Sequence, residues 1–203
     1  MDTLYVAQVD FLSADRYLAE IPVGFRLRAE KYRRKDDRAR SLCCLWLLCA
    51  HLRGQGIHPE KLTFSVTDRG KPVLSLENLH FSFSHSRDLA SVLLSQSPCG
   101  VDVEGVRPEL DTDRLAEKLF STEELAAYRA SDDKKGFFTA LFTKKEAEGK
   151  RRGTGVFPHQ MAEIPVDDCR TERFFCGGST YYLSVAPRKT DLQTILVGAV
   201  LKG

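Results

Sequence analysis

The stretch Cys99-Gly100-Val101-Asp102-Val103-Glu104 alternates small or apolar residues with acids directly after the turn signal Ser97-Pro98, which predicts a β-strand. Side chains two apart in a strand share a face, so Val101 and Val103 point one way and Asp102 and Glu104 the other. Downstream, Phe137 to Lys150 predicts a helix, because Phe138, Phe142, Glu146 and Lys150 recur at a spacing of four. Glu146 and Lys150 then lie one turn apart on one face. The two elements together offer three carboxylates and an ammonium, and carboxylates suit a hard cation such as Mg²⁺, which keeps waters and takes further oxygens from substrate phosphates. Two plainer readings stand beside this one: Asp102 and Glu104 as a solvated strand face, and Glu146 with Lys150 as a surface ion pair worth about 0.3 to 0.5 kcal/mol. Zinc is disfavoured, because the five histidines and six cysteines show no metal-ligand spacing and no C-x-x-C occurs.

Working outward, Leu4 to Leu12 predicts a first strand, and Asp36-Asp37 provide caps or first-turn acids for a helix closing near Gly54. Leu42 to Ala50 is apolar almost throughout, so that helix is expected to be buried on most sides. Strands are predicted at Thr63 to Thr67, Phe81 to Ser84 and Ala90 to Ser95, with a turn at Asp68 to Pro72. Beyond the acidic strand, Asp111 to Phe120 and Ser121 to Ala130 read as helices, the second opened by the capping box Ser121-Thr122-Glu123-Glu124. A basic exit from the Phe137 helix, Arg151 to Gly155, leads to strands around Phe174-Phe175, Tyr181 to Val185 and Thr194 to Leu201. The fold class is therefore α+β, with two similar halves, residues 1–99 and 100–203, meeting near Ser97 to Gly100. No residue-level repeat relates them.

The 203 residues, 42% hydrophobic and 29% charged, have the composition of an ordinary globular protein. Thirty basic against twenty-eight acidic residues give a net charge of +2, which argues against a nucleic-acid partner. Between Arg26 and Arg40, however, eight basic residues face three acids, and the run reads equally as a solvated face or as an anion site. Cys43, Cys44 and Cys49 lie in an apolar run and the other cysteines are scattered, as expected of reduced, buried thiols. The N-terminus lacks a signal-peptide pattern and no apolar stretch approaches 18 residues, so a cytoplasmic protein without membrane partners is expected.

Several separated motifs then agree in order and spacing. Gly70-Lys71-Pro72, Phe81-Ser82-Phe83-Ser84-His85-Ser86, Gly100 to Glu104, Phe142-Thr143-Lys144-Lys145-Glu146-Ala147 with Lys150, and Gly153-Thr154-Gly155 resemble the signature of the 4′-phosphopantetheinyl transferase superfamily. The likeness runs from about Arg28 to Val156 and is greatest to the small, two-lobed, monomeric subclass typified by surfactin-synthetase activators. It implies two pseudo-symmetric α/β lobes with the active site in the cleft between them. It also implies transfer of the phosphopantetheine arm of coenzyme A to a serine of an apo acyl or peptidyl carrier protein, with release of adenosine 3′,5′-bisphosphate.

Carried over by position, the resemblance makes Asp102, Glu104 and Glu146 ligands of Mg²⁺, and Lys150 the lysine facing the pyrophosphate. It places Ser84, His85, Lys71 and Pro72 at the nucleotide and Arg28, Lys31 and Arg40 at its phosphates. In the mechanism expected on this basis, Glu146 accepts the serine proton, directly or through a metal-bound water, and Lys150 stabilises the departing bisphosphate. A non-catalytic module of the same fold, holding coenzyme A or a carrier protein without turnover, is the competing reading. Two departures stand out: Phe142 where the family usually has Trp, and Glu148-Gly149 at more apolar positions, with a helical glycine costing about 1 kcal/mol relative to alanine.

Overall fold

The computed structural model describes residues 2–12, 15–189 and 191–198, and the chain is a mixed α+β structure. Strand β1 (Asp2–Gln8) is followed by helices α1 (Asp15–Glu20), α2 (Val23–Glu30) and α3 (Lys35–Gly54). A hairpin of β2 (Phe64–Val66) and β3 (Pro72–Leu74) precedes β4 (His80–Ser86), β5 (Leu89–Ser95) and β6 (Gly100–Gly105). Helices α4 (Thr112–Leu119), α5 (Thr122–Ala130) and α6 (Lys134–Arg152) come next, then β7 (Arg170–Cys176), β8 (Ser179–Ala186) and β9 (Leu192–Val197).

One sheet has the order β4-β5-β1-β9, antiparallel except where β9 runs parallel to β1, and another has the antiparallel order β6-β8-β7. Alternation along β1 sends Tyr5 and Ala7 toward the core under α3, and Leu4 and Val6 into a second core shared with β6 and β8. The first sheet is thus covered on both faces, which explains why every residue of β5 is buried. Val101 and Val103 of β6 enter the second core beside Leu183 and Val185, and the opposite face of β6 meets α6. A third core, with Phe120, Tyr128, Phe138 and Leu141, packs α4, α5 and α6 together.

Strand β4 lies beside β6, and serine side chains bridge them in place of main-chain carbonyls. The N–H groups of Val101, Val103 and Gly105 donate to the Oγ atoms of Ser82, Ser84 and Ser86 at 3.1, 3.2 and 3.2 Å. Helix α6 in turn approaches the start of β6 so closely that a Cβ on Gly100 would collide with the Ala147 carbonyl oxygen and the Arg151 nitrogen. Both obstacles are backbone, so Gly100→Ala is expected to destabilise the fold by about 1 to 3 kcal/mol, read as a lowered urea midpoint at unchanged slope.

Several expectations are refined. The Asp36–Asp37 pair occupies the first turn of α3, where the helix dipole favours acids, while Arg34 is at the cap position. The first strand ends at Gln8 rather than Leu12, since Phe11 and Leu12 turn to solvent. The Arg26–Arg40 run is split between α2, an intervening turn and α3. The capping box of α5 is present, with Ser121 and Glu124 exchanging hydrogen bonds. Strand β9, from the 100–203 half, joins the sheet of β1, and residues 199–201 of its expected extent lie outside the described residues.

The anomalous Glu148-Gly149 pair has a packing reason. A Cβ on Gly149 would strike the Val156 side chain, so the glycine lets the 153–156 segment cross the helix. Buried Glu148 receives two hydrogen bonds from Arg151, both at 2.7 Å, and one from Arg152 at 2.6 Å. Burial works against its charge, yet the two guanidinium groups hold its carboxyl below the usual range. All six cysteines are buried and unpaired, and among the described residues no helix is long and apolar enough to cross a membrane.

Candidate active site

Strand β6, helix α6, strand β4 and helix α2 converge on a cavity of about 340 Å³. Asp102, Glu104, Glu146 and Lys150 line it together with Ser84, His85 and Arg28. The alternation of β6 and the four-residue spacing of α6 are what bring the acids and Lys150 to one place. Asp102 is only 3% exposed, so the reading of the acidic pair as a solvated strand face is overturned: α6 covers it. The alternative reading of Glu146 with Lys150 as a surface ion pair does not hold either. Lys150 Nζ donates across the chain to Asp102 Oδ1 at 2.6 Å and to the Val101 carbonyl at 3.2 Å.

The acids are individually held. Ser84 Oγ donates to Asp102 Oδ1 at 2.7 Å, and Ser86 Oγ donates to Glu104 Oε2 at 2.7 Å. Arg107 Nη2 stands 3.6 Å from the same Glu104 oxygen. Asp102 Oδ2, by contrast, is buried with no hydrogen-bond partner. Burial first, then the charge of Asp102, raises Glu146 to about 7 despite the opposing effect of Lys150. The same two causes raise Glu104. The two glutamates thus sit beside another carboxylate in a site short of positive charge.

Among the described residues no three metal-ligating side chains form a ready-made cage. The donor set nevertheless fits Mg²⁺, a cation that is seldom fully enclosed by protein and takes carboxylate oxygens together with waters and phosphates. The orphaned Asp102 Oδ2 is the observation that favours this fit, since buried polar atoms are otherwise almost always partnered.

The remaining expected residues divide. Lys71 and Pro72 line an adjoining depression of about 240 Å³ that shares Arg28, Phe83, Glu146 and Lys150 with the first. Lys71 Nζ donates to the carbonyls of Lys150 and Arg151 at 2.8 and 3.1 Å, capping α6, and burial lowers its pKa. Lys31 lines a third groove, shared with Arg28 and Tyr32. Arg40 lines none of these; it pairs with Asp37 at 2.7 Å and donates to the carbonyl of Arg87 at the β4–β5 turn. His85 lines the cavity with Tyr32 edge-on to it at 6.2 Å, and burial, then Arg40 and Lys150, press its pKa below the ordinary value. Tyr32, Ser41 and Phe83 also line the cavity without having been singled out. For Phe83 the signal was available, because it shares the alternation of β4 with His85.

Comparison with known proteins gives the arrangement a context. Residues 98–193, which include Asp102, Glu104, Glu146 and Lys150, match the model of the 4′-phosphopantetheinyl transferase superfamily. The chain is 29% identical over 146 residues to a 4′-phosphopantetheinyl transferase of Bacillus subtilis, a match covering 70% of this chain and 64% of that protein, just under two thirds of its length. It is 31% identical over 178 residues to the transferase HetI of a Nostoc species, covering 84% and 75% of the two chains. AcpT of Escherichia coli K12 is 31% identical over 158 residues, covering 75% and 74%. Asp102, Glu104, Glu146 and Lys150 meet at one cavity, and relatives match over most of both chains, which leads to one conclusion: this chain belongs to the 4′-phosphopantetheinyl transferase superfamily.

Proposed function

We propose that the chain transfers the 4′-phosphopantetheine arm of coenzyme A to a serine hydroxyl of an apo acyl or peptidyl carrier protein, releasing adenosine 3′,5′-bisphosphate. The observation that carries this reading is the convergence of Asp102, Glu104, Glu146 and Lys150 on one cavity, with Asp102 Oδ2 left unpartnered. The names of the relatives point the same way. Asp102, Glu104 and Glu146 are the residues that would hold Mg²⁺, which when bound supplies charge neutralisation on the pyrophosphate.

In this scheme the carrier serine oxygen forms a bond to the phosphorus bearing the pantetheine arm while the bond to the bisphosphate oxygen breaks. Glu146 receives the serine proton. Lys150, held between the Val101 carbonyl and Asp102, directs its remaining donor at the leaving phosphate. Arg28 supplies charge at the neighbouring phosphates, and the exposed basic side chains of residues 31–38 steer an acidic carrier toward the opening. We read the fold as two α/β lobes, residues 1–99 and 100–203, whose facing surfaces form this cavity, and the working unit as a monomer. Both parts of the chain contribute to the lining: Arg28 and His85 from one, Glu104 and Glu146 from the other.

Incubation with coenzyme A, Mg²⁺ and a panel of apo carriers, followed by intact-mass spectrometry, is expected to show one phosphopantetheine added to at least one carrier. Coenzyme A binding with every carrier unmodified would favour the non-catalytic module instead.

A further inference from the structure

The three serines of β4 perform the same backbone task but differ in what their hydroxyl protons do. Each Oγ accepts one β6 N–H group: Ser82 from Val101, Ser84 from Val103, Ser86 from Gly105. A hydroxyl has one proton to donate and can accept at the same time. In two of the three rungs that proton goes to an acid of the cavity, from Ser84 to Asp102 Oδ1 and from Ser86 to Glu104 Oε2, both at 2.7 Å. At the Ser82 rung the equivalent β6 position is Gly100, which has no side chain to receive it. Ser84, expected at the nucleotide, lines the cavity, and its hydroxyl both accepts from Val103 N–H and donates to Asp102.

We infer that Ser84 and Ser86 are positioning residues for the cation, a role resting on the assignment of Asp102 and Glu104 as its ligands. Each hydroxyl is pinned by a strand N–H and engages one oxygen of its carboxylate, fixing the rotation of that group. For Asp102 the engaged atom is Oδ1, which also receives Lys150, so Oδ2 alone remains for a cation. Partners of this kind behind metal ligands typically contribute 10- to 100-fold in affinity. Ser82 is the built-in comparison, having the same strand contact with no acid attached.

The test titrates Mn²⁺ as a probe into the full chain with coenzyme A limiting, reading free Mn²⁺ by electron paramagnetic resonance. Ser84→Ala and Ser86→Ala are expected to raise the Mn²⁺ dissociation constant about 10- to 100-fold, Ser86→Thr to restore it, and Ser82→Ala to leave it at the wild-type value. Equal effects of alanine at all three positions would reduce the serines to strand staples and overturn the inference. Absence of Mn²⁺ binding by the wild-type protein would overturn the metal assignment itself, and the positioning role with it. A second measurement needs no variant: Mg²⁺ with coenzyme A should slow amide hydrogen exchange at Val103 and Gly105 more than at Val101. Equal slowing at the three amides would contradict the inference even if the alanine variants fail to fold.

Discussion

Asp102→Asn is expected to lower kcat/KM for phosphopantetheine transfer by about 10²- to 10³-fold while the protein stays folded. The substitution is nearly isosteric, and asparagine Oδ1 can still accept the bonds from Ser84 and Lys150. What it removes is the charge and the free Oδ2, which becomes an amide nitrogen unable to bind a cation. Stability should change little or rise, because Asp102 contributes to raising both Glu104 and Glu146, and that repulsion disappears. Coenzyme A affinity measured without metal should be nearly preserved, since Arg28, Lys71 and His85 are untouched. Transfer within a few-fold of wild type would remove Asp102 from the metal site.

Lys145→Ala is expected to have the largest effect on stability, about 3 to 5 kcal/mol. Lys145 is fully buried although it carries a charge. Its Nζ donates to the carbonyls of Met161 and Ile164 at 2.8 and 3.3 Å and pairs with Glu124 Oε1 at 2.7 Å. Glu124 is also the acid that closes the capping box of α5, so one ammonium ties α5, α6 and the 158–164 segment together. Alanine would leave an acid and two carbonyls without their donor. At this chain length the loss corresponds to a fall of about 6 to 20 °C in melting temperature. A fall of less than about 2 °C by calorimetry would show that water replaces the ammonium at little cost.

The parts of the fold set by local pattern were legible in the sequence, and those set by pairing were not. The period-two acids of β6, the spacing-four residues of α6 and the capping box of α5 each declare themselves within a few residues. Helices α1 and α2 went unread because they are short, and α2 buries only Phe25 and Ala29 while carrying Gly24. The parallel placement of β9 beside β1 joins opposite ends of the chain, which no local signal announces.

The candidate site shows the same division. The identities of Asp102, Glu104, Glu146 and Lys150 were readable, but the contact Lys150 makes was not, because helix spacing offers only Glu146 as a neighbouring acid. The structure puts Asp102, 48 positions away, closer. The serine rungs depend on β4 lying against β6, so Ser82, Ser84 and Ser86 read only as part of a motif. Phe142, in place of the family's usual Trp, lines the cavity and stacks on Phe138 at 5.8 Å, so the aromatic role survives without an indole donor.

The most direct test is a crystal structure of the chain with coenzyme A and Mg²⁺. The cation should lie about 2.0 to 2.1 Å from its oxygen ligands, drawn from Asp102, Glu104, Glu146, waters and the pyrophosphate, with Lys150 facing a phosphate. A pyrophosphate bound outside this cavity, or a cation that leaves Asp102 Oδ2 uncoordinated, would contradict the metal-site assignment.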